Sequence, residues 1–255
     1  MTRHDINRPM PAMRQPASAG HCCRRRALSM LLGMAASALL ALPPARAQTA
    51  PHATEVARYS PLLAAAHRGD LAQLDALIAA GTDLAQRDGH GRTAVHVAAH
   101  ARQRAVIERL ARAGADLNTL EHDRYDAVTI AAVADDEATL RTLLKLGASA
   151  KQVTSRYDGT ALIAAAHLGH EGVVRQLIAA GAPLDHVNNL RWTALIESIV
   201  LGDGGARHQA TLAALLKAGA NANLPDGQGR TPLALALARG YAGMAQALER
   251  AGGRP

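Results

Sequence analysis

Residues 160–181 read TALIAAAHLGHEGVVRQLIAAG, and the two halves carry different helical signals. Thr160 precedes a run of small and aliphatic residues from Ala161 to His167. A Thr oxygen there can take a free backbone N–H at a helix start, and Ala both favours helix and lets neighbouring helices approach closely. Beyond Gly169, Val173, Val174, Leu177 and Ile178 recur at helical spacing. Gly181 then stands just past the second helix, where left-handed backbone costs other residues about 1–2 kcal/mol. The stretch predicts helix, turn, helix and stop.

The same sentence is written six times. The closing glycine recurs at Gly81, Gly114, Gly147, Gly181, Gly219 and Gly252, in steps of 33, 33, 34, 38 and 33. The residue opening the first helix recurs in phase at Ser60, Thr93, Asp126, Thr160, Thr193 and Thr231, in steps of 33, 33, 34, 33 and 38. Copies therefore run at about 58–87, 88–120, 121–153, 154–187, 188–225 and 226–252, joined by polar loops such as QRDGHGR from Gln86 to Arg92. The fifth copy is longer, and its extra residues fall around Leu201–His208, between its two helices.

These units resemble ankyrin repeats. The resemblance rests on Gly91-Arg92-Thr93-Ala94-Val95-His96-Val97-Ala98-Ala99, on Asp226-Gly227-Gln228-Gly229-Arg230-Thr231-Pro232-Leu233 and on Gly114–Asn118 (GADLN), and it covers residues 55–252. It implies an all-α ankyrin-repeat solenoid of about six helix-turn-helix repeats with hairpin loops, occupying residues 55–255. Departures from the family pattern are local. Only Thr231-Pro232-Leu233 keeps the family's Pro, and the family's His, which looks like a strut between repeats, survives as His96 alone. One unit buries perhaps four large aliphatic side chains worth about 1.5–3 kcal/mol each against about 1–2 kcal/mol of backbone ordering per residue. Folding therefore needs the stack, where each internal unit is covered on both sides.

Composition sets the compartment and narrows the function. The chain has 255 residues with 49% apolar positions, no Phe, one Trp and four Tyr, so its core is built from Ala, Leu, Val and Ile. Residues 1–47 carry seven of the 28 basic side chains and one of the 21 acidic ones, leaving 21 against 20 over residues 48–255. The basic balance belongs to the leader, and a nucleic-acid or anionic-membrane role for the body loses its support. That leader holds Arg24-Arg25-Arg26, an uncharged apolar run from Ala27 to Leu42, and Ala45-Arg46-Ala47, the three parts of a secretory signal cut after Ala47. The run is shorter than the ~20 residues that span a bilayer. Arg25-Arg26 leaves both the general secretory and the twin-arginine routes open. Cys22 and Cys23 lie upstream of the run, so the exported chain is thiol-free, periplasmic or secreted, with residues 48–54 as a short linker.

The resemblance implies protein binding through hairpin loops and inner helices. Tyr59, Tyr125 and Trp192 each directly precede the residue opening their repeat, in the register of Arg92 and Arg230, and Arg124, Arg156, Tyr157 and Arg191 lie in the same loops. Tyr, Trp and Arg are the side chains that most often carry binding energy at interfaces, although the residue at this register also covers the hairpin. These nine residues are the candidate partner-binding set. In the long fifth repeat, Asp203, Arg207 and His208 sit in a Gly-rich insertion that suits recognition, or an anion or cation site. Catalysis has no support. His96 and His100 have helical zinc-pair spacing, but Val97 replaces the glutamate of that motif, and no serine sits in a nucleophile elbow. The reading is a monomeric, non-catalytic module without cofactor or metal that binds another protein. The resemblance to exported bacterial members adds an accessory role in envelope or oxidative-stress protection. A secreted effector engaging a host protein, and a ligand or metal module built on Gly202–His208, remain as alternatives.

Overall fold

The computed structural model describes residues 50–255. The leader, its cleavage site and its export route lie outside them. Within the described residues, a single helical turn α1 (Ala53–Val56) leads into six helix pairs: α2 (Pro61–Arg68) with α3 (Leu71–Ala79), α4 (Ala94–His100) with α5 (Arg104–Arg112), and α6 (Ala127–Val133) with α7 (Glu137–Lys145). The series continues as α8 (Ala161–His167) with α9 (Glu171–Ala179), α10 (Ala194–Val200) with α11 (Ala206–Lys217), and α12 (Pro232–Ala238) with α13 (Ala242–Arg250). First helices pack on one another in an inner column, second helices in an outer one, and each pair packs internally. Between the third and fourth pairs, β1 (Val153–Thr154) and β2 (Gly159–Thr160) form a short antiparallel ladder with Val153 opposite Thr160. Helix α1 starts inside the segment expected to be a linker, because His52 and Glu55 cap it reciprocally.

The expected local signals act as read, with two exceptions. Asp126, Thr160, Thr193 and Thr231 each accept the backbone N–H three residues on. Ser60 makes no such bond, and Thr93 instead pairs with His96. All six closing glycines have positive φ, from 73° to 96°. The inner column is close-set because Ala65 and Ala66, Ala98 and Ala99, Ala131 and Ala132, and Ala165 and Ala166 are buried at its contacts. Leu62, Leu74, Ile107, Leu110, Leu140, Leu143, Leu162 and Leu177 fill the space between the columns.

The turn between paired helices also needs one left-handed residue, nine positions after the opening residue. Gly69, Gly169 and Gly240 fill it, but so do Arg102 at φ 57° and Asp135 at φ 53°. The fifth repeat differs: its left-handed residue is Gly204, not Gly202. The five extra residues there are only partly a loop. Helix α11 begins two residues later than the others and runs for 12 residues where they run for nine, so Ala206, Arg207 and His208 are helical.

Candidate interaction face

One polar side chain per hairpin holds the loops that project beside the inner column. Asp88 Oδ1 accepts the N–H groups of His90 and Arg92, both at 2.9 Å. Asn188 Oδ1 does the same for Leu190 and Trp192 at 3.0 Å, and Asp226 Oδ1 for Gln228 and Arg230 at 2.9 Å. Neighbouring hairpins are then joined by main-chain bonds: His122 N–H to His90 O at 3.0 Å, Ser155 N–H to Arg124 O at 2.9 Å, and Asn189 N–H to Tyr157 O at 3.0 Å. This makes the edge a fixed platform from which side chains can project without further ordering cost.

The nine candidate residues divide on that platform. Arg92 is 6% exposed; its guanidinium binds Asp88 at 2.6 Å and Glu55 at 2.7 Å, and Arg92 holds the Glu55 carboxyl down at about 2. Tyr125 is 5% exposed, and burial pushes its hydroxyl up to about 12. Both serve packing, because stacking of the neighbouring repeat covers them, and neither offers its side chain to a partner. Tyr59 is half-buried, edge-on to His67 with ring centres 6.1 Å apart, and burial raises its pKa to about 12. Arg230 is exposed but its Nε is tied to Asp226 Oδ2 at 2.8 Å. The rest gather over the third to fifth hairpins. Arg124 and Arg191 are exposed and left-handed, at φ 66° and 63°; Arg124 pairs with Asp158 at 2.8 Å. Exposed Arg156 lies over the ring of half-buried Tyr157 at 5.7 Å, and Trp192 is half-buried.

The insertion is knitted into the stack. His208 faces Asp203 Oδ1 at 2.8 Å through Nδ1 and the His167 carbonyl at 2.9 Å through Nε2. Arg207 reaches back to Asp135, two repeats away, at 2.9 Å. Tyr241 donates to the Gly202 carbonyl at 3.0 Å. Among the described residues no group of three His, Cys, Asp or Glu side chains is placed to hold a metal. The polar groups of the insertion are thus engaged with one another and with neighbouring repeats.

Two ionisable groups are set inside the inner column. His96 is 1% exposed. Its Nδ1 receives the Thr93 N–H at 3.1 Å and faces the Thr93 hydroxyl at 2.9 Å, so the ring proton sits on Nε2, which donates to the Tyr125 carbonyl at 3.2 Å. Burial lowers its pKa to about 4. This is the expected strut between the second and third repeats. Glu197, which the sequence reading passed over, is 6% exposed, and burial raises its carboxyl to about 7. Asn188 donates to its Oε1 at 2.8 Å, and His167 Nδ1 stands 3.6 Å from Oε2. Its signal was present in the register: the matching positions elsewhere are Ala64, Val97, Ile130, Ala164 and Leu235.

Comparison with known proteins follows this geometry. The family model described as ankyrin repeats (3 copies) matches residues 62–155 and 128–226, and that described as ankyrin repeats (many copies) matches 205–249. The chain belongs to the ankyrin-repeat family. A crystal structure of an ankyrin repeat domain from Acinetobacter baumannii AYE is 43% identical, with a TM-score of 0.72, covering 76% of this chain and 98% of that one. The ankyrin repeat domain of Bcl-3, a member of the IkappaB family, is 27% identical at a TM-score of 0.69, covering 77% and 88%. The putative ankyrin repeat protein YahD of Escherichia coli (strain K12) is 41% identical over 99 residues, which is 38% of this chain and 49% of YahD. Ankyrin repeats are a protein–protein interaction scaffold, and no helix of the described residues is long and apolar enough to cross a membrane.

Proposed function

We propose that the chain is exported to the periplasm and works there as a non-catalytic module that holds a partner protein against its hairpin edge and inner helices, in support of envelope or oxidative-stress protection. The observation that carries the reading is the cluster Arg124, Arg156, Tyr157, Arg191 and Trp192. These side chains reach solvent from hairpins already fixed by main-chain bonds, and they are of the types that dominate binding energy at interfaces. The near-neutral charge of residues 48–255 favours a protein partner over a nucleic acid.

The test has two parts. Osmotic-shock fractionation with N-terminal sequencing of the released chain should place it in the periplasm, starting at Gln48; a cytoplasmic chain that keeps Arg24–Arg26 would refute export. The purified chain, immobilised in periplasmic extract, should retain one protein through a moderate-salt wash. Retention of nothing beyond a bare-matrix control would refute the binding role.

A further inference from the structure

Glu197 breaks the pattern of its own column. The other five repeats place an aliphatic side chain at its position, and a carboxylate buried there is costly unless something answers its charge. Its two oxygens are treated unequally. Oε1 accepts the Asn188 amide at 2.8 Å, whereas Oε2 takes no hydrogen bond from the described residues. The one basic atom within ion-pair reach of Oε2 is His167 Nδ1 at 3.6 Å, on a side chain that is 45% exposed. By contrast, Asp88 and Asp226 hold Arg92 and Arg230 of their own hairpins.

The row beside Glu197 has a gap. Gly159 stands where the repeats on either side place Tyr125 and Trp192. Its φ is not in the left-handed region, and a Cβ there would meet only Ser155 Oγ at 3.5 Å and Ile163 Cγ2 at 3.8 Å, which are ordinary contacts. The backbone therefore does not demand glycine, and its effect is to leave out a large side chain from the row. Trp192 is joined to Glu197 through a single residue, because Asn188 accepts the Trp192 N–H at 3.0 Å while donating to Glu197.

We propose, on the interaction reading above, that Glu197 with His167 beside it receives a lysine or arginine side chain of the partner protein, which enters beside Trp192 at the gap left by Gly159. The chemistry is a charge-assisted hydrogen bond to the free carboxylate oxygen, with an aromatic neighbour that favours cations. Glu197 would thus select the charge of the bound segment, while the hairpin edge supplies its contact area.

Trp192 is the single tryptophan of the chain and reports on the site directly. The probe is a blocked pentapeptide with lysine at its centre and glycine and serine around it, beside matched arginine and norleucine peptides and free cadaverine, read by Trp192 fluorescence. The lysine and arginine peptides should bind, with affinity about tenfold weaker in Glu197→Gln, which keeps an oxygen for Asn188 but removes the charge. His167→Ala, at an exposed position where folding is not at risk, should weaken binding several-fold. Circular dichroism and a denaturant midpoint taken on each variant separate loss of the site from loss of the fold. Equal response to the norleucine peptide, unchanged affinity in a folded Glu197→Gln chain, or cadaverine binding as tightly as the lysine peptide would overturn the proposal. A partner captured by the wild type and held equally by Glu197→Gln would overturn it while leaving the interaction role intact.

Discussion

His96, His100 and Glu197 are buried ionisable side chains of opposite kind, and together they bound the pH range of stability. His96 and His100 both have pKa values lowered to about 4 from 6.5, chiefly by burial. The unfolded chain therefore binds protons that the folded chain refuses, and stability should fall as pH drops from 6.5 toward 4. Glu197 is raised to about 7 from 4.5 by burial, so its favourable protonated state is fully present below pH 4.5 and is lost as pH rises through 7. Each shift corresponds to at most roughly 3 kcal/mol. Urea midpoints from pH 4 to 9 should be dome-shaped, with the acid limb shallower in His100→Leu and the alkaline limb shallower in Glu197→Gln. Limbs that keep their wild-type slope in these variants would refute the assignments. His96 was legible from the sequence as a strut because its motif is local. Glu197 was not, since a glutamate in a helix reads as solvent-facing until its register is set against five aliphatic counterparts. Tyr125 misled for a related reason: whether a side chain before the first helix is free depends on how the adjacent repeat stacks, which no single repeat encodes.

At the level of elements, backbone conformation is imposed by the repeat and filled by whatever residue stands there. Arg102 holds the left-handed turn position that Gly69, Gly169 and Gly240 hold elsewhere. Its ion pair with Asp136 is long, at 3.7 Å, and its side chain is 62% exposed, so little is lost with it. Arg102→Gly should raise stability by about 1 kcal/mol; a lower midpoint in urea would refute the strain argument. The insertion is similarly separable. Removing Asp203–Arg207 would leave Leu201-Gly202-His208-Gln209 in the order of Leu168-Gly169-His170-Glu171, followed by a nine-residue second helix, Gln209–Lys217. The shortened chain should keep its helical circular dichroism and lose about 1 kcal/mol with the contacts of Arg207 and Asp203. Collapse of the helical signal would mean that the insertion is required to fold. The length and place of this insertion were readable from the interval of 38, but its helical part was not, because Ala206, Arg207 and His208 extend a helix whose start has no strong cap.

Across the whole molecule, stability comes from nearest-neighbour stacking, and the interior positions of the central repeats carry it. Leu177 of α9 is fully buried, so Leu177→Ala should cost about 2–5 kcal/mol, read as a lower denaturant midpoint; an unchanged midpoint would contradict the stacked core. The solenoid was legible almost entirely, because a repeated helix-turn-helix pattern states its own architecture. The binding edge was legible only as a register, and its useful part proved to be the third to fifth hairpins, since the terminal ones are tied by Arg92–Asp88 and Arg230–Asp226. The most direct measurement of the central claim is capture from periplasmic extract with three immobilised chains: wild type, Tyr157→Ala with Trp192→Ala on the hairpin edge, and Arg109→Ala with Arg175→Ala on the outer helices. One protein retained by the wild type and the outer-helix variant but lost by the hairpin-edge variant is the predicted result. Retention by the hairpin-edge variant with loss by the outer-helix variant would place binding on the opposite face and contradict the account.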